Sequence, residues 1–165
     1  MRVYLPATST MLADLVASGT VGPAPLTAFA VTPGLREWYL DDDPEELEYA
    51  ATMEAARGSL RLLDSDPSAA RRRVVIAADV PDAAITVRDD LDRGVVRVGA
   101  PVPLAAIASV HADDADAEPT VSAAADSIIE ADLGSEPAQE RVDDAEGYEL
   151  AWYASQEIAA LLDSL

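Results

Sequence analysis

The segment Asp41-Asp42-Asp43-Pro44-Glu45-Glu46 writes a helix start, and the stretch it opens constrains the fold more than any other. Asp43 can accept from the free N–H groups of a first turn. Pro44 suits the first helical position, where its missing donor costs nothing. Glu46 follows Asp43 at the capping-box spacing, with Asp as the cap. Acids at this end also complement the helix dipole. Downstream, Tyr49, Met53, Ala56, Leu60 and Leu63 recur at steps of four and three, which predicts one apolar face of a helix over residues 43–63. Beside it runs a second row, Leu47, Ala51, Ala55, Gly58 and Leu62, whose small members allow a close partner such as a sheet. Gly58 costs about 1 kcal/mol against Ala in a helix interior, and close packing is the expected reason for it. Glu48, Thr52, Ser59 and Arg61 remain for solvent, and Asp64-Ser65-Asp66-Pro67 ends the helix.

Such a helix needs apolar strands to lie on. Residues 2–6, 27–32, 74–78, 107–111 and 149–153 supply them, rich in β-branched, aromatic and Ala side chains. Thr8, Ser9 and Thr10 can cap a helix carrying Met11, Leu12, Leu15 and Val16. Ile85 to Arg88 and Val95 to Val98 alternate and are expected to pair as an edge hairpin, while Pro101 and Pro103 argue against a central strand beyond it. Residues 113–132 read as a helix with Val121, Ala124, Ala125, Ile128 and Ile129 on one face. Leu133 to Asp144 reads as an acidic loop, and residues 155–165 as a last helix turning Ile158, Leu161 and Leu162 inward. Strands and helices alternate except between Ala78 and Ile107. That order predicts one α/β domain over residues 1–165, with a mixed, largely parallel sheet of about five core strands and helices packed on it. A ferredoxin-like α+β sandwich is the alternative.

Several of these segments are distinctive together: Met1 to Ala7, Ala28 to Pro33, Leu35 to Tyr39, Glu45 to Ala51, Ile107 to His111 and Trp152 to Ala154. As a set they resemble an actinobacterial family of uncharacterised proteins, a domain of unknown function. The resemblance spans nearly the whole chain and implies one intact domain from a GC-rich cytoplasm. It carries over no activity, cofactor or catalytic residue. Ser155 departs from it, since relatives often have Pro at the start of the last helix.

Charge narrows the partners. The net charge is −20, and residues 111–165 hold 15 acids against Arg141 alone. Such a surface repels nucleic acid and anionic membrane, favours solubility and can attract a basic partner; the plainer reading is the solvated acidic surface of a salt-tolerant or GC-rich host. All 11 basic residues are Arg, with Lys and Asn absent, as in a GC-rich genome. No cysteine is present, so disulfides, thiolate nucleophiles and Cys metal sites are excluded. With no apolar run near bilayer length and no basic-then-apolar leader, a soluble cytoplasmic protein is expected.

His111-Ala112-Asp113-Asp114 is the best chemical cluster. Imidazole and carboxylates are metal ligands, and Asp113 or Asp114 can orient His111 as a base. The plainer reading has His111 end a strand and one Asp cap the next helix. A second site would combine Arg36 with the aromatic pairs Trp38-Tyr39 and Trp152-Tyr153, binding a carboxylate or phosphate; the plainer reading makes these pairs core and rim. In a parallel sheet, ligands gather at the carboxyl ends of the strands, which here offer Thr8, Ser9, Thr32, Arg36, His111, Asp113 and Ser155. Gly-x-Ser-x-Gly, Gly-x-Gly-x-x-Gly and Walker loops are missing. The first functional expectation is therefore a non-catalytic domain that binds a protein partner or itself. The alternative is a small hydrolase or metal-assisted phosphatase around His111 and Asp113. Neither names a cofactor.

Overall fold

The computed structural model describes residues 1–40 and 42–165; Asp41, part of the predicted helix start, lies outside the described residues. The long helix is present as α3, Pro44–Ser65, with the Asp43 carboxylate accepting from the Glu45 N–H at 3.0 Å. It lies on one face of a seven-stranded sheet made of β1 (Arg2–Ala7), β3 (Leu26–Phe29), β4 (Val74–Asp79), β5 (Ile85–Val87), β6 (Val95–Val98), β8 (Ile107–Ala112) and β9 (Ala151–Ala154). The order is β5-β6-β3-β1-β4-β8-β9. Two short strands, β2 (Thr20–Val21) and β7 (Val102–Pro103), pair separately. The other helices are α1 (Ser9–Ser18), α2 (Pro33–Trp38), α4 (Glu118–Asp132), α5 (Glu136–Glu146) and α6 (Ile158–Ser164).

Alternation along the strands sorts the core. Val3, Leu5 and Ala7 of β1 face the same way as Val74, Ile76 and Ala78 of β4, under Leu12 and Leu15 of α1 and Ile158 and Leu161 of α6. Tyr4, Phe29, Val75 and Ala77 face the other way, under Ala51, Ala55 and Ala56 of α3. Beyond α3, Leu60 and Leu63 meet Val121 and Ile128 of α4 and Val142 of α5 in an outer helical layer. Helices therefore cover both faces, which gives a mixed α/β architecture.

The sheet corrects the predicted topology. Every strand pairing in it is antiparallel, where a largely parallel sheet of about five core strands was expected. The apolar run at 74–78 is continuous because helices cover both sides of β4. Parallel sheets need such runs, but so does any doubly covered sheet. The pattern reports coverage and leaves strand direction open. The antiparallel pairing is what the α+β alternative requires, yet its helices would lie on one face only.

Three further expectations change. The predicted loop at 133–144 is mostly α5, capped by the Ser135 hydroxyl accepting from the Ala138 N–H. Its Ala138, Val142 and Ala145 recur at helical steps, but the acids around them mask the stripe. In α3 the small row wins the sheet contact: Leu47, Ala51, Ala55 and Gly58 are buried, while Tyr49 is 62% exposed. Ser59, assigned to solvent, is fully buried, donating to the Ala7 carbonyl at 2.7 Å and accepting from the Val74 N–H at 3.1 Å. Among the described residues no helix is long and apolar enough to cross a membrane.

Candidate functional site

An antiparallel sheet scatters the strand ends that a parallel one would gather. By the pairing register, Thr8, Ser9 and Asp113 follow strands that end on one side of the sheet, and Thr32 and Ser155 follow strands that end on the other. The proposed ring of ligands is thus split, and most of its members have local work. Thr8 accepts from the Met11 N–H and caps α1, and Ser9 Oγ accepts from the Ala70 N–H at 2.8 Å. Thr32 is fully buried. It caps α2 and donates to Asp89 at 2.6 Å. Asp89 also accepts from the Gly34 and Gly94 N–H groups. Burial alone would raise the Asp89 carboxyl, and these hydrogen bonds outweigh it and hold the group below its usual range. Gly94 sits at φ +83°, so its turn is one that L side chains rarely adopt.

Asp113 is committed to structure. It accepts from the Arg73 backbone N–H, Nε and Nη2, each at 2.8 Å, with the two side chains 1% and 0% exposed. Arg73 also donates to the Tyr148 carbonyl at 2.9 Å. The pair ties the start of β4 to the end of β8 and anchors the approach to β9. Asp114 is exposed and makes no side-chain cap to the turn that follows. Among the described residues no group of three or more His, Asp or Glu is placed to hold a metal ion. Arg36 is exposed on the last turn of α2, and it is Arg93 that stacks on Trp38, 3.4 Å from the ring centre.

His111 is the sequence candidate that does reach a cleft. It stands on the α3 face of β8, where Tyr49, Thr52 and Met53 of α3 and Glu149 and Leu150 before β9 enclose about 260 Å³ with it. Its Nε2 lies 3.2 Å from Ser109 Oγ, two residues back on the same strand face. Burial, and then the nearby Arg2 guanidinium, push the imidazole below its ordinary value. Trp152 pairs with His111 across β8 and β9 and is 62% exposed. A shallower hollow of about 580 Å³ adjoins through the shared Tyr49, between Tyr39 and the acids Asp43, Glu45 and Glu46. The model of one protein family matches residues 1–162. The chain belongs to that family of unknown function, DUF6912. No curated protein and no solved structure matches it.

What distinguishes this DUF6912 face is aromatic surface with an acidic rim. Tyr49 is the residue most misjudged from sequence: its position on the predicted inward face hid that the neighbouring Ala row makes the closer contact. Glu149 and Leu150 read from sequence as the start of the last strand, but β9 begins at Ala151 and the two residues line the cleft before it, next to the Tyr148 carbonyl that Arg73 holds.

Proposed function

We propose that this DUF6912 domain is a non-catalytic binding module, and that it takes an extended basic segment of a partner protein along β9 and the Tyr49 cleft. The observation that carries this reading is the exposure of Tyr49 and Trp152, each 62%, beside a sheet edge. Large aromatics left in water at one place mark interaction surfaces. β9 pairs with β8 alone among the described residues, so its other edge can accept an added strand. Asp43, Glu45, Glu46 and Glu149 around the two hollows match Lys and Arg side chains, which can also stack on the rings. The same charge opposes self-association, because two copies of net −20 repel. It also disfavours nucleic acid. An all-Arg cation set without Lys or Asn supports a GC-rich actinobacterial source, and the absence of cysteine fits a cytoplasmic setting.

The test is fluorescence anisotropy with a panel of labelled peptides alternating Arg or Lys with aliphatic residues. Binding should saturate, weaken with salt, and lose roughly thirtyfold in Trp152→Ala, about 2 kcal/mol for an aromatic anchor. Equal binding by wild type and by the Tyr49→Ala, Trp152→Ala double variant would overturn the reading.

The Ser109–His111 contact favours a second reading, a hydrolase centred on His111. Against it, about 260 Å³ falls below the usual size of small-molecule sites, and Asp113 bonds Arg73 instead of the imidazole. Hydrolysis of an activated ester that disappears in Ser109→Ala would establish it.

A further inference from the structure

One hydrogen bond at the end of β9 decides which of its backbone groups face the open edge of the sheet. The Ala154 N–H donates to Glu157 Oε1 at 3.1 Å, so it is not spent on β8. Opposite residues of an antiparallel pair alternate between exchanging both backbone bonds and exchanging none. Ala154 opposite Ser109 therefore exchanges none, and neither does Trp152 opposite His111, two residues earlier. Ala151 and Tyr153 carry the bonds to β8. The Trp152 N–H and C=O point the other way, to an edge that has no strand beside it among the described residues. Glu157 closes that edge at Ala154, as natural sheets blunt exposed edges, which leaves Trp152 as the centre for an added strand.

The two faces of β9 differ. Trp152 lies on the face of His111, which lines the cleft with Tyr49 and the exposed carboxylate of Glu149. Tyr153 lies on the other face, opposite Val110, half-buried against the core that Ile158 and Leu161 of α6 complete. Side chains of an added strand alternate between these faces. The residue opposite Trp152, and those two positions before and after it, meet aromatic rings and acids, which suit cations. The residues between them meet Tyr153 and an apolar border, which suits aliphatic side chains. A second copy of this chain does not fit. Arg71 and Arg73 are its one pair of cations two residues apart, with Arg72 rather than an aliphatic residue between, and Arg73 is buried.

We infer that the partner segment adds to β9 in a single antiparallel register, in which the residue opposite Trp152 exchanges both backbone bonds with it. That residue and every second one from it are cations, with aliphatic residues between. The inference rests on the binding reading above and adds to it the pattern and direction that the partner must have. Antiparallel is the direction of every other pairing in this sheet. Charge attraction alone would take the cations in any order, whereas an edge with one acidic, aromatic face and one apolar face takes them at a spacing of two.

The experiment compares two labelled peptides of one composition by anisotropy at fixed ionic strength, Arg-Val-Arg-Val-Arg-Val-Arg and Arg-Arg-Arg-Arg-Val-Val-Val. The alternating peptide should bind about tenfold more tightly, the scale of one lost cation contact with its backbone bonds. N-methylation then reads the register. In the antiparallel register the arginine N–H groups face Trp152 and the valine N–H groups face water. Methylating a central arginine amide should cost about tenfold, and methylating a valine amide should leave affinity unchanged. Equal binding of the two peptides, or equal loss at arginine and valine amides, overturns the inference and leaves the binding of a basic segment standing. Loss confined to the valine amides means a parallel strand and overturns it as well. Absence of saturable binding by both peptides overturns it together with the reading on which it rests.

Discussion

At the scale of single residues, Arg73 does more than any other to place the Tyr49 face, because one guanidinium holds Asp113 and the Tyr148 carbonyl together. Removing one partner leaves the other charged and out of water. Asp113→Asn or Arg73→Met should therefore each cost about 3–5 kcal/mol in urea unfolding. The Arg73→Met, Asp113→Leu double variant should cost less than the two singles together, since no buried charge remains. Chemical shifts near Trp152 should move in all three. His111 makes a pH-dependent contribution. Burial lowers its folded pKa, so the unfolded chain binds the proton more readily. Stability should be full above about pH 6.5, the ordinary His value, and fall as pH drops below it. His111→Gln should remove that part of the slope in melting temperature between pH 7 and 5.

Among the elements, α3 shows how a helix with a row of small residues on one face can organise a sheet. Ala51, Ala55 and Gly58 bring its backbone close enough for Ser59 to bond both Ala7 and Val74. At Gly58, Ala would gain about 1 kcal/mol of helix propensity, but its Cβ would meet Pro6 Cγ at 2.7 Å, and overpacking costs about 1–3 kcal/mol. The net effect of Gly58→Ala should be destabilising, read by calorimetry, and Ser59→Ala should cost a further few kcal/mol by orphaning the Val74 N–H. The start of α3 was legible because Asp43 and Pro44 act locally, and its small row was legible because size and period coincide. Ser59 was not, since only the register of β1 against β4 brings two backbone groups to its hydroxyl. The same limit hid the strand directions. A hydrophobic run records that both sides are covered, and pairing partners lie far apart in sequence. His111 was legible as the lone imidazole, whereas its neighbours Tyr49 and Glu149 come from two other segments. Asp113 looked reactive only because Arg73, forty residues earlier, could not be seen to claim it.

Over the whole molecule, charge is the quantity that most separates this chain from a generic α/β domain. With net −20, its acids crowd one another across the surface. Arg57 and Arg61 converge on Asp132 at the end of α4, and Arg57 also donates to Gln139 of α5, so α3 is coupled to the acidic C-terminal third. The Arg61 hydrogen bond is the largest influence on Asp132, and it holds the carboxyl below its usual range. A depressed folded pKa stabilises at pH above the ordinary Asp value and is lost as pH falls through the depressed one. Asp132→Asn should accordingly lose about 1 kcal/mol at pH 7, the modest worth of a partly exposed pair, and approach wild-type stability under strong acid. Salt should act in the opposite sense on the molecule as a whole. The Debye length shrinks from about 30 Å at 0.01 M to about 3 Å at 1 M, so long-range repulsion is screened before contact pairs are. The melting temperature at pH 7 should rise with added sodium chloride, and rise less at pH 4.5, where part of the repulsion is already titrated away. A melting temperature that fell with salt at pH 7 would mean that the arginine pairs outweigh the surplus of acids. The acidic rim would then be a weaker attractor for a basic partner than the charge implies.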